Sequence, residues 1–275
     1  MGRLTTFAGV RSAFLETERQ ITVYTPEGYE SSGERYPVLY LHDGQNLFEP
    51  ERAYVAGQIW HAATTVDRLI EMGLIAPLIL VGIDHGGAAR IDELTPTRDL
   101  RTKRGGLAKA YGRMLTDEIK PKIDQAFRTR WKAADTGLGG SSLGGLATLY
   151  LGFRLPQVFG RLAIMSPSLW WDNRLMLDRI RMNRHAERAR IWLDIGTREG
   201  RAHVQNVKNT RQLRDTLVAR GWREGLDLRY VEAAGATHSE QDWAHRLPEV
   251  LRFLYPAEGV DAEVAVAGEG DDGIW

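Results

Sequence analysis

Apolar, β-branched runs alternate with stretches of helical period along most of the chain. The runs predict strands at 20–25, 37–42, 77–84, 134–139, 162–166, 190–196 and 227–233. The amphipathic stretches between them predict helices at 63–72, 108–127, 143–153, 204–220 and 239–254. Runs such as PVLYLH and PLILVGI are nearly continuous in apolar residues, as expected of strands buried on both faces. Alternating strands and helices then predict an α/β fold: a mostly parallel central sheet, right-handed crossovers and helices on both faces. In such sheets a ligand site gathers at the C-terminal strand ends, which decides the polar residues to examine first.

No repeat or long linker divides this pattern, so residues 1–256 read as one domain. The last stretch, 257–275, departs from it with six acidic residues, four glycines and no basic residue. It reads as a flexible or surface-docked tail, with Val264, Val266, Ile274 and Trp275 as its docking side chains. Over the whole chain of 275 residues, 36 basic side chains balance 36 acidic ones. A neutral chain argues against a nucleic-acid partner. The acidic tail conceals a mild basic excess of about six charges on the body. The absence of cysteine excludes disulfides, iron–sulfur clusters and a thiol nucleophile. The longest apolar run, 73–83, contains Pro77 and is about half of what spans a bilayer, so no membrane partner is expected. The N-terminus has no apolar h-region, which predicts a cytoplasmic protein. Gly2 and Thr6 fit the myristoylation pattern formally, a match that short motifs produce by chance. Thirty of the basic residues are arginine and six lysine, a bias that ion pairing or base composition would equally produce.

Candidate chemistry centres on Gly140-Ser141-Ser142-Leu143-Gly144, a G-x-S-x-G pattern that follows one predicted strand and opens one predicted helix. That context is what a nucleophile elbow requires, with the central Ser142 projected above the sheet and no room for β-carbons at Gly140 and Gly144. A serine hydroxyl needs a base, and His238 in the loop GATHSE follows the last strand. His245 comes later but falls inside a predicted helix. The acid that orients the histidine should end an intervening strand. IWLDIGTREG offers Glu199 in the loop, and Asp194 within the strand as the alternative. An oxyanion hole needs two backbone N–H groups. Leu143 supplies one at a helix N-terminus; Gln45, after the turn at Asp43-Gly44, supplies the other.

The segments YPVLYLHDGQNLF, RIDELTP, GGSSLGGLATLY, SPSLWW, DIGTREG and GATHSEQDWAHRLPEVLRFL occur in that order between positions 36 and 254. Together they resemble the esterase-D-like family of α/β-hydrolases, which includes enterochelin-type, feruloyl and acetyl-xylan esterases and mycolyltransferases. The resemblance implies an α/β-hydrolase fold without a large cap domain. It also implies Ser142 as nucleophile, Glu199 as acid, His238 as base, and Gln45 and Leu143 as oxyanion donors. The loop after the nucleophile unit would supply an aromatic wall for substrate, Trp170 and beside it Trp171. Arg90 and Glu93 have the look of a structural ion pair near the site.

The function expected is a serine carboxylesterase acting on a small-molecule ester through an acyl-enzyme, without metal or organic cofactor. An acyltransferase with the same triad, or a catalytically silent binding protein, is the alternative. Nothing opposes a homo-oligomer. With no long insertion to build a cap, the site should be open and favour short acyl chains or a bulky soluble ester. The basic body suggests a preference for anionic esters, tempered by the tail.

Overall fold

The computed structural model describes residues 1–182 and 188–257. The chain runs β1 (Arg3–Val10), β2 (Arg19–Thr25), β3 (Val38–His42), α1 (Ala62–Glu71), β4 (Ile79–Ile83) and the short α2 (Arg90–Glu93). It continues with α3 (Ala108–Arg113), α4 (Lys120–Ala126), β5 (Thr136–Ser141), α5 (Leu143–Arg154) and β6 (Arg161–Met165). The last elements are α6 (Trp171–Met182), β7 (Arg190–Gly196), α7 (His203–Ala219), β8 (Leu228–Ala233) and α8 (Glu240–Leu254). The strands form one eight-stranded sheet in the order β1-β2-β4-β3-β5-β6-β7-β8. β2 pairs antiparallel with both β1 and β4, and all pairings from β4 through β3 to β8 are parallel.

Burial on both faces is visible within single strands. On β3, Val38 and Tyr40 enter one core, while Leu39 and Leu41 enter the other. The first core packs the sheet against α3 to α7, and the second packs it against α1 and α8. This α/β-hydrolase architecture carries Ser142, Glu199 and His238 on loops beyond the C-terminal ends of β5, β7 and β8.

Three elements were not anticipated, among them α2, whose four residues are too few to show a helical period. Strand β1 is an edge strand with mostly exposed or half-buried residues, so it lacks the apolar run that marked the others. Helix α6 carries Asp172, Asn173 and Arg174 at φ values of 45°, 53° and 66°, which interrupts any helical period. The single helix expected at 108–127 is instead α3 and α4 joined by a π-helical stretch, Met114–Ile119. Pro121 explains the slip. It has no N–H for the carbonyl four residues back, so the hydrogen-bond ladder loosens there. The acidic tail lies outside the described residues, apart from Ala257.

Candidate active site

Ser142 sits between β5 and α5 at φ 58° and ψ −119°, a conformation that L-residues rarely adopt. Its neighbours are small for a measurable reason. A β-carbon at Gly140 would stand 3.0 Å from His42 Cδ2, and one at Gly144 3.2 Å from His42 Cβ. The turn lays Ser142 Oγ 2.9 Å from His238 Nε2, and His238 Nδ1 lies 2.7 Å from Glu199 Oε2. Glu199 is buried in the loop after β7, and its Oε1 accepts the Gly196 N–H at 2.7 Å. The His238 loop is braced from α8. Ser239 caps the helix by accepting from Asp242 N–H, and the Asp242 carboxylate accepts from the Thr237 amide and hydroxyl. Burial acts to raise the Asp242 pKa, but the Thr237 and Ser239 hydrogen bonds hold it below the usual carboxylate range.

Asp194 stands elsewhere. It is fully buried on β7, where Oδ2 accepts from Trp192 Nε1 at 2.7 Å, Oδ1 accepts from Ser166 N–H at 3.1 Å, and Oδ1 lies 3.3 Å from Arg246. Burial pushes its carboxyl above the ordinary range despite Arg246. Its contacts include no atom of His238, so the alternative acid is not brought to the base. The reason is position: a mid-strand side chain stays inside the sheet, while the loop beyond carries Glu199 to the rim.

On the opposite side, Gly44–Asn46 forms one 3-10 turn after β3, entered through Asp43 at φ 57°. Gly44 lies against the β4 backbone, where a β-carbon would meet Gly82 C and Ile83 N at 2.6 Å. Among the described residues, neither the Gln45 nor the Leu143 amide has a protein acceptor. The turn is tied down by Arg90, whose Nε and Nη2 donate to the two Asp43 oxygens at 2.6 and 2.8 Å. Burial opposes ionisation of Asp43, but the Arg90 charge more than offsets it. The expected Arg90–Glu93 pair is therefore not formed. Glu93 points inward from α2 and receives both Arg19 amino groups, at 3.0 and 3.2 Å.

A cleft of about 460 Å³ opens over Ser142 and His238. Its aromatic lining is Tyr54, Trp60 and Trp243, with Gln45, His85, Arg90 and Glu240 among the polar groups. Trp170 and Trp171 do not line it. Trp171 is buried with its indole N–H donating to Thr97 O at 3.0 Å, and Trp170 lies tilted against it, 51% exposed. Trp171 thus packs against the 95–105 loop, and Trp170 sits outside it.

Residues 12–254 match the family described as Putative esterase. The chain belongs to this esterase family. It is a carboxylic ester hydrolase. The uncharacterised Bacillus subtilis protein YbbA is 28% identical over 246 residues, which cover 86% of this chain and 92% of that one. An iron(III) enterobactin esterase from Dickeya dadantii is 29% identical over 163 residues, covering 59% of this chain but only 33% of that protein. Among solved structures, the BES protein from Bacillus cereus superposes with a TM-score of 0.73 at 24% identity, over 92% of this chain and 94% of that one.

Sequence reasoning about the esterase missed Ser166, Ser168, Trp243 and Arg246. Ser168 Oγ lies 3.4 Å from Ser142 Oγ, and Trp243 sets its edge on the His238 ring at 4.9 Å between centroids. The only available signal was spacing: Trp243 and Arg246 stand three apart on the helix after His238, hence on one face. Among the described residues no group of three or more His, Cys, Asp or Glu could hold a metal ion. Nor is any helix there long and apolar enough to cross a membrane.

Proposed function

We propose that the esterase hydrolyses carboxylic esters through an acyl-serine intermediate on Ser142. The observation that carries this reading is the unbroken line from Glu199 Oε2 to His238 Nδ1 and from His238 Nε2 to Ser142 Oγ. With Nδ1–H held by Glu199, the Nε2 lone pair faces the serine hydroxyl and takes its proton as Oγ attacks the ester carbonyl. The oxygen charge that develops is received by the free amides of Gln45 and Leu143, the latter also at the positive end of α5. Collapse breaks the ester C–O bond, and the leaving alkoxide takes the proton from His238. Water then attacks the acyl-serine, gives a proton to His238, and the second collapse releases the acid and restores Ser142.

The cleft supports small or soluble esters, since turns and the first residues of α2 and α8 wall it and, among the described residues, no helical cap closes it. Its charge differs from the body's. Arg90 is engaged by Asp43, which leaves the Glu240 carboxylate, bound to Asn46 Nδ2 at 3.1 Å, as the charge at the rim. A neutral ester is therefore expected to be turned over faster than an anionic one.

The test is Ser142→Ala with p-nitrophenyl acetate and a fluorophosphonate probe. The expected result is loss of about 10⁴-fold or more in kcat and loss of covalent labelling, with the fold intact. Full activity in the alanine variant would overturn the mechanism. A panel running from acetyl to long-chain esters, with feruloyl and catecholate esters included because of the enterobactin-directed relative, would identify the substrate class.

A further inference from the structure

Beneath the esterase site lies a buried hub that the reaction steps do not touch. Ser166 follows β6 at φ 41° and is fully buried. Trp243 Nε1 donates to its Oγ at 3.0 Å, and Arg246 Nη2 donates at 2.9 Å. An indole N–H and a guanidinium N–H are donors only, so both lone pairs of the hydroxyl are filled. Its single hydrogen is left for Glu199 Oε1, with which it is hydrogen-bonded. Together with the Gly196 N–H, this gives Glu199 Oε1 two donors, and Oε2 faces His238 Nδ1 alone. Arg246 is itself anchored by Asp194, the buried carboxylate on the same strand as Gly196.

We infer that Ser166 is a positioning residue of the esterase: its hydroxyl, oriented by Trp243 and Arg246, holds the Glu199 carboxylate in the rotamer that fixes the His238 tautomer. This rests on the acyl-serine reading above. The direction of the Ser166–Glu199 bond is set by its other partners and does not depend on substrate. Two side chains on one face of α8 thereby connect the helix to the reacting serine through four hydrogen bonds in series. Such a chain fixes geometry that a lone loop carboxylate would hold loosely.

The experiment compares wild type with Ser166→Gly, which suits a positive φ while removing the hydroxyl. Trp243→Phe is the second variant; it keeps a ring beside His238 and removes the N–H. Readouts are kcat and KM on p-nitrophenyl acetate, the labelling rate with a fluorophosphonate probe, and the low-field proton resonance of His238 Nδ1–H. Ser166→Gly is expected to lower kcat and the labelling rate together by about 10- to 100-fold, with KM within about two-fold, and to shift the resonance. Trp243→Phe, by freeing one lone pair of Ser166, is expected to slow labelling by about three- to ten-fold. Should the glycine variant fail to fold, the phenylalanine variant decides. Wild-type labelling rates and an unmoved resonance in the folded variants would overturn the positioning role alone. A wild-type protein that the probe does not label at Ser142 would overturn the acyl-serine reading itself.

Discussion

Ser142 is held in a backbone conformation that costs of order 1–3 kcal/mol, and its neighbours bear that cost. Its N–H donates to Met165 O at 3.1 Å, and its carbonyl accepts from Leu146 and Ser168 at 3.1 and 3.0 Å. On the facing side, Gly44 has no such latitude, because what a β-carbon would strike is the β4 backbone. Gly44→Ala is therefore expected to displace the Gln45 amide and reduce kcat by about 10²-fold, with a stability loss of about 1–3 kcal/mol. Steady-state kinetics beside urea unfolding would separate the two effects. The two candidate acids are equally open to test. Glu199→Gln removes the carboxylate bonded to His238 and is expected to lower kcat by about 10³- to 10⁴-fold. Asp194→Asn leaves that bond in place, so the folded variant should lose less than about 10-fold. The reverse order of effects would return the role to Asp194.

At the scale of elements, the site depends on a pin remote from the chemistry. Arg19 on β2 and Glu93 on α2 are 0% and 2% exposed, and they form a two-pronged ion pair. The pair fixes the four-residue α2, whose first residue, Arg90, clamps Asp43 and with it the Gly44–Asn46 turn. Removing one member strands a buried charge, so Glu93→Ala should cost about 3–5 kcal/mol in unfolding free energy. An Arg19→Met, Glu93→Leu double variant should recover most of it, and a single-variant loss below about 1 kcal/mol would show that the pin carries little. The pairing was not legible beforehand, because Arg19 and Glu93 are far apart in sequence and the resemblance pointed to Arg90 as the partner of Glu93. The strands from β2 to β8 were legible: burial on both faces leaves apolar runs such as β3 and β4, and the half-buried β8 keeps the alternation with helical stretches. An exposed edge strand and a helix broken by left-handed residues leave neither run nor period, and both β1 and α6 were missed. The site divides in the same way. Ser142 and His238 stand in motifs with a mechanical reason for every small neighbour. Ser166 and Arg246 act through contacts that only the folded chain creates.

Across the whole molecule, the two cores meet through the parallel strands, and His42 ends the central strand directly under the Ser142 turn. Its Nδ1 lies 2.8 Å from Tyr111 OH, and burial pushes its pKa down to about 4. In the unfolded chain the same imidazole titrates near 6.5. Between those values the unfolded state binds a proton that the folded state refuses, so acidification favours unfolding. His42 contributes its full stabilisation above about pH 6.5 and loses it as pH falls towards 4, a swing of about 3 kcal/mol. Asp84 works the other way: burial raises its pKa to about 6 in the fold, which then binds protons more readily than the unfolded chain does. Total stability against pH would mix these opposing contributions, whereas a difference between two proteins isolates one. Urea unfolding of wild type and His42→Asn at intervals from pH 7 to 4 supplies that difference, since Asp84 titrates equally in both. The variant should be less stable at pH 7, and the gap should narrow by about 3 kcal/mol as the pH approaches 4. Parallel curves would mean that His42 takes up its proton over the same pH range in the fold as in the unfolded chain. The side chain whose Cδ2 and Cβ lie against Gly140 and Gly144 would then become a buried cation at about pH 6.5, and burial would not disfavour its charge.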